Sequence, residues 1–67
     1  MGANQWGRRI RAFRKLKGYT QVQFAQKLGM SVSVIGEIER GTRIPSTDVI
    51  DQIADLLKIS REELSPK

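Results

Sequence analysis

The sequence predicts an all-α fold, a compact five-helix bundle. Three observations carry the prediction. Apolar residues recur at helical spacing, and no stretch alternates as a strand would. Ser or Thr stands where each of four helices would start: Thr20, Ser31, Ser46 or Thr47, and Ser60. Gly or Pro stands where helices would stop, at Gly18, Gly29, Gly41 and Pro45. There are no internal repeats. The 67 residues make one small domain, 1–67, which buries only about 60% of its unfolded surface.

Helix 1 is expected over about 5–17. Trp6, Ile10, Phe13 and Leu16 or Lys17 follow i, i+4, i+7 spacing and define its inward face, with Arg8, Arg11 and Lys15 on the other side. Trp6 either closes the core or meets a second copy, and the core is the favoured place. Tyr19 is expected to lay its ring beside helix 2 with its hydroxyl wet. Helix 2 is expected over 21–28. Thr20 caps it, Gln23 completes a capping box, and Phe24, Ala25 and Leu28 share its inner face. Helix 3 is expected over 32–40, capped by Ser31 and closed by Gly41, with Ile35 and Ile38 turned back towards helix 2. Helix 4 is expected over 47–57. Asp48 and Asp51 lie early in it, where the helix dipole favours acids, and Val49, Ile50, Ile53, Ala54, Leu56 and Leu57 form a wide apolar stripe. Ser60 and Glu63 form a second capping box and open a short helix over 61–64. The tail, residues 65–67, is expected to fray. Phe13, Leu16, Phe24, Ile35, Ile38, Ile53 and Leu57 are the expected core.

Composition narrows the chemistry. There is no Cys and no His, which removes disulfides, thiol nucleophiles and zinc sites built on those residues. The acids are scattered along helical surfaces, and no pair of them makes a convincing acid–base couple, so an enzyme is not expected. No metal, cofactor or small-molecule ligand is implied. No apolar run approaches the ~20 residues of a membrane span. Arg8, Arg9 and Arg11 are not followed by an apolar segment, so no signal peptide is read, and a cytoplasmic location is expected. Charge is one-sided. Residues 1–36 carry seven bases and no acid, whereas residues 37–67 carry five bases and seven acids. A basic half points to a polyanion, most often nucleic acid, with a solvated basic surface as the bland alternative.

Residues 20–41, TQVQFAQKLGMSVSVIGEIERG, place two short helices around a tight turn with Gly29, which is a helix-turn-helix motif at helices 2 and 3. TQ, then FA, LG, S, I and finally IERG, in that order and spacing, resembles the Cro/phage-repressor (XRE-type) helix-turn-helix regulators. The upstream WGRRIRAFRKLKGY and the downstream P-S with DQIADLLKIS are similar to that family too, so the likeness runs from Trp6 to Leu64. The resemblance implies a lambda-repressor-like DNA-binding fold and sequence-specific double-stranded DNA binding by a transcriptional regulator, a repressor.

The candidates for base contact are Ser31, Val32, Ser33, Gly36 and Glu37, which lie away from Ile35 and Ile38. The resemblance places base reading at Val32, Ser33 and Glu37. Val32 suits a thymine methyl, or a partly buried staple. Ser33 can donate or accept. Glu37 can accept from cytosine N4, but phosphates would repel it, and the family more often has an amide or a base there. Its other expected role is a solvent-facing charge or a pair with a nearby Arg. Gly36 costs the helix about 1 kcal/mol relative to Ala, and close approach to DNA would account for it. The phosphate candidates are Gln21, Arg14, Arg40, Thr42 and Arg43, with long-range attraction from Lys15, Lys17 and Lys27. In the resembling family, residues matching Arg14 and Glu39 form an ion pair that ties helix 1 to helix 3, and the resemblance makes Arg14 a phosphate candidate as well. One small unit reads few base pairs, so a homodimer on a two-fold operator is expected, with Leu56, Leu64 and helices 4–5 as its contact surface. The competing reading is a protein-interaction module or antitoxin on the same fold, motivated by the unusual face of Val32, Val34, Gly36 and Glu37.

Overall fold

The computed structural model describes residues 5–66. Residues 1–4, and Lys67 at the end of the expected fraying tail, lie outside the described residues. Five helices follow one another: α1 Trp6–Leu16, α2 Gln21–Leu28, α3 Val32–Arg40, α4 Thr47–Leu57 and α5 Arg61–Leu64. No strand occurs among the described residues.

Local hydrogen bonds fix four of the five starts. Thr20 Oγ1 accepts from the Gln23 amide at 3.1 Å, and Gln23 Oε1 accepts from the Thr20 amide at 2.9 Å. Ser60 and Glu63 repeat this capping box at α5. Ser31 and Ser46 each accept from the amide three residues on, at 3.1 and 3.2 Å. Each bond satisfies a helix-start donor that would otherwise have no partner. The stops at α2 and α3 need left-handed backbone, with φ of 68° at Gly29 and 86° at Gly41. Only glycine adopts that conformation without a Cβ penalty. α4 ends differently: Lys58 takes the left-handed place with φ 58°.

The core lies where α1, α3 and α4 meet around Phe24. Ile10, Phe24, Ile35, Ile38, Ile53, Leu57 and Leu64 are fully buried, and Ala25, Ile50 and Ala54 complete the cluster. Trp6, Phe13, Tyr19, Leu28 and Leu56 pack partly buried around its rim. The Tyr19 ring sits 5.9 Å from that of Phe24.

Two expected places differ. Leu16 is 75% exposed, not core. The inward face of α1 is Gly7, Ile10 and Arg14, rotated away from the stripe that runs through Phe13 to Leu16. Gly7 lets α1 press onto α3, where a Cβ at this residue would stand 2.1 Å from the Ile38 carbonyl oxygen. Arg14 occupies an inner position because Glu39 neutralises it there. A glycine and a paired charge thus take places that a purely apolar pattern assigns to Leu16. Leu64, expected at a dimer surface, is instead fully buried, since α5 folds back on α1 and α4. Arg9 braces that return: its guanidinium donates to the Glu63 carbonyl and lies 5.5 Å from the Phe13 ring centroid.

Candidate nucleic-acid interface

The caps that bound α2 and α3 also orient α3. The turn from Gly29 to Ser31 joins α2 to α3 in three residues, and Ile35 and Ile38 lock α3 onto the core. The opposite edge is left outward. Ser31, Val32 and Ser33 are exposed and Glu37 is half-buried, so the N-terminal turn of α3 presents a hydroxyl, an aliphatic group, a second hydroxyl and, one turn later, a carboxylate. Gly36 differs from expectation. It is buried, and the Arg40 guanidinium lies over it, 3.1 Å from where a Cβ would stand. The missing side chain seats Arg40 instead of opening backbone to solvent.

Behind this edge a buried polar cluster ties three helices. Arg14 Nε donates to Glu39 Oε2 at 2.6 Å and Arg14 Nη2 to Glu39 Oε1 at 3.0 Å, a two-point fork. Arg14 Nη1 donates to the Tyr19 carbonyl at 2.8 Å. Gln21 Nε2 donates to Glu39 Oε1 at 3.0 Å. The ionic side chains are 8% and 2% exposed, so water screens the pair little. This arrangement gives two of the phosphate candidates a structural part. The guanidinium of Arg14 is buried and donates from each of its three nitrogens to a partner within the protein. The amide nitrogen of Gln21 is likewise engaged, so its side chain acts first as a brace for α3.

An open groove does run along this cluster, lined by Arg11, Arg14, Thr20, Gln21, Glu39 and Arg40. With Arg14 neutralised by Glu39, its net positive charge comes from the exposed Arg11 and Arg40. Arg11 was not among the phosphate candidates. Its signal was its place three residues before Arg14, which puts both on neighbouring turns of one helix. Thr42 and Arg43 are exposed just beyond α3. Both of their amides, and the Thr42 hydroxyl, donate to the Glu37 carbonyl at 3.0, 3.3 and 3.2 Å respectively. Arg43 Nε also meets Glu37 Oε1 at 2.7 Å. Of the roles weighed for Glu37, pairing with a nearby Arg is the one seen here.

The helix-turn-helix family model matches residues 10–64. The chain belongs to the helix-turn-helix family. It is 65% identical over 66 residues to the uncharacterised HTH-type transcriptional regulator YazB of Bacillus subtilis (strain 168), covering 98% of this chain and 96% of that protein. It is 42% identical over 53 residues to the immunity repressor protein of Bacillus phage phi105, covering 79% of this chain but 37% of the repressor. Among solved structures it resembles SinR, the master regulator for biofilm formation, in complex with DNA. The TM-score is 0.82 at 33% identity, over 88% of this chain and 95% of that one. Among the described residues of this helix-turn-helix protein, no helix is long and apolar enough to cross a membrane.

Proposed function

We propose that this chain is a sequence-specific double-stranded DNA-binding regulator of transcription that represses by occupying its operator, with α3 in the major groove. The observation that carries the reading is the open N-terminal edge of α3, Ser31, Val32, Ser33 and Glu37, set beside the Arg11–Arg40 groove. Hydrogen-bonding and apolar groups at the edge suit base contacts, and the flanking cations suit phosphates. Arg11, Arg40 and Thr42 hold the backbone, while Arg14, Gln21 and Glu39 fix the angle of α3.

Specificity comes from pairing two chains on a two-fold operator. The groove of Lys27, Leu28, Gln52, Asp55 and Leu56, between the end of α2 and α4, replaces Leu64 as the contact surface. Its base and acid are complementary when two copies face each other.

Titration of the isotope-labelled chain with a random-sequence duplex tests the reading by NMR. Amide shifts are expected at residues 31–37, 40–43 and 11, weakening strongly between about 50 and 200 mM salt. Absence of shifts at low salt would overturn the reading and leave the protein-interaction alternative.

A further inference from the structure

A carboxylate on a recognition helix is an electrostatic problem. Glu37 is 37% exposed on the edge that would face the groove, where phosphates on both sides repel it. Its partner sits in an unusual place. Arg43 lies beyond the end of α3, yet its Nε reaches Glu37 Oε1 at 2.7 Å. The cap that closes α3 at Gly41 brings the two residues together. The Glu37 carbonyl accepts from the amides of Thr42 and Arg43 at 3.0 and 3.3 Å, and from the Thr42 hydroxyl at 3.2 Å. The loop is therefore clamped onto the main chain of the same residue whose side chain Arg43 holds. The pair is organised before any DNA arrives.

We propose that Glu37 and Arg43 act as one base-reading device, in which Glu37 selects cytosine and Arg43 is its positioning residue. The inference rests on the reading of α3 as the recognition helix. Pairing cancels the charge that would otherwise repel phosphates, and it fixes where the carboxylate points. A carboxylate has about four lone-pair sites, so accepting from Arg43 leaves capacity for another donor. In the major groove it needs a base edge that donates. Guanine presents two acceptors and thymine an acceptor beside a methyl. Adenine offers N6–H next to the acceptor N7, which repels a carboxylate. Cytosine offers N4–H alone. Glu37 therefore favours a C·G pair at one position of each half-site. Ser33, exposed one turn earlier on the same face, meets the neighbouring pair.

Selection from a random duplex pool, with the wild type and the variants Glu37→Gln, Glu37→Ala and Arg43→Gln, tests the device. The Arg43 side chain is 52% exposed and that of Glu37 37%, and unchanged melting curves verify that the variants fold. The wild type is expected to enrich a motif containing a cytosine that it prefers by about tenfold or more over other bases. Glu37→Gln is expected to switch that position towards adenine, whose N7 and N6 match an amide. Arg43→Gln is expected to flatten the preference at that same position while leaving the rest of the motif. A wild-type motif that Glu37→Ala leaves unchanged would overturn the inference alone. So would an Arg43→Gln variant that binds all sequences more weakly by one common factor, the behaviour of a plain phosphate contact. A wild type that binds no duplex would overturn the DNA reading together with it.

Discussion

Glu37 and Glu39 are two residues apart on one helix and do opposite work. Glu39 faces inward with a side chain 2% exposed, and it accepts from Arg14 twice and from Gln21 once. Glu37 faces outward, and its pair with Arg43 is half in water. Removing one member of a buried pair strands the other charge in a poorly solvated place. Glu39→Ala is therefore expected to lower the unfolding free energy by about 3–5 kcal/mol. Glu37→Ala removes only an exposed pair and should change it by less than about 1 kcal/mol. Urea denaturation of the two variants measures the difference, and equal midpoints would refute the inward role of Glu39. The site was legible to the degree that its residues act locally. Ser31, Val32 and Ser33 stand open because they begin a helix whose inner face Ile35 and Ile38 define. Arg14 and Gln21 were harder to place. Both are polar residues near a basic groove, and only the packing of α1 against α3 shows that Glu39 has already engaged them. Arg11 is illegible for the converse reason, since its place on the groove depends on three helices that build it together.

At the scale of helices, starts and stops were legible and orientations less so. A cap is written by one side chain and the amide three residues later, so Thr20, Ser31, Ser46 and Ser60 can be read in isolation. The inward face of α1 depends on a partner helix. Gly7 is the decisive residue, because its backbone touches that of α3. Propensity alone makes Gly7→Ala favourable by about 1 kcal/mol. Packing reverses the sign. A Cβ would lie 2.1 Å from the Ile38 carbonyl oxygen and 2.7 Å from that of Glu39, and neither main-chain atom can rotate away. Gly7→Ala should cost at least about 3 kcal/mol, the upper range of core overpacking, seen as an early urea midpoint. A neutral result would mean that α1 lifts off α3 freely. The end of α4 offers the opposite case. Lys58 holds φ at 58°, where an L side chain is strained and glycine is not. Glycine costs something in the unfolded chain, so the net gain from Lys58→Gly is about 0.5–1 kcal/mol. The melting temperature should rise by a few degrees with DNA binding unchanged; a fall would show that the Lys58 side chain contributes more than its backbone strain takes away.

For the whole molecule, shape and charge agree on how two chains would share one operator. The longest dimension is 29 Å, close to the ~34 Å between half-sites one helical turn apart, so two copies side by side occupy one face of a duplex. All seven bases of residues 1–36 lie in the half that builds α1, α2 and the start of α3, with no acid among them. That asymmetry suits a polyanion, and on the proposed DNA reading it sets a salt dependence. If each chain neutralises about three phosphates, a dimer neutralises about six, and log K falls against log salt with a slope near −5. Affinity should then drop by about a thousandfold between about 50 and 200 mM salt. Arg40→Gln removes one cation per chain and should flatten the slope by about 2 in a dimer but by about 1 in a monomer. Fluorescence-anisotropy titrations over a salt series read both the slope and its change. The size of the Arg40→Gln effect thus counts the chains on the duplex without a separate measurement of stoichiometry. A slope near zero would mean that the basic half does not meet phosphate at all, and the groove between α1 and α3 would lose its assigned part in binding.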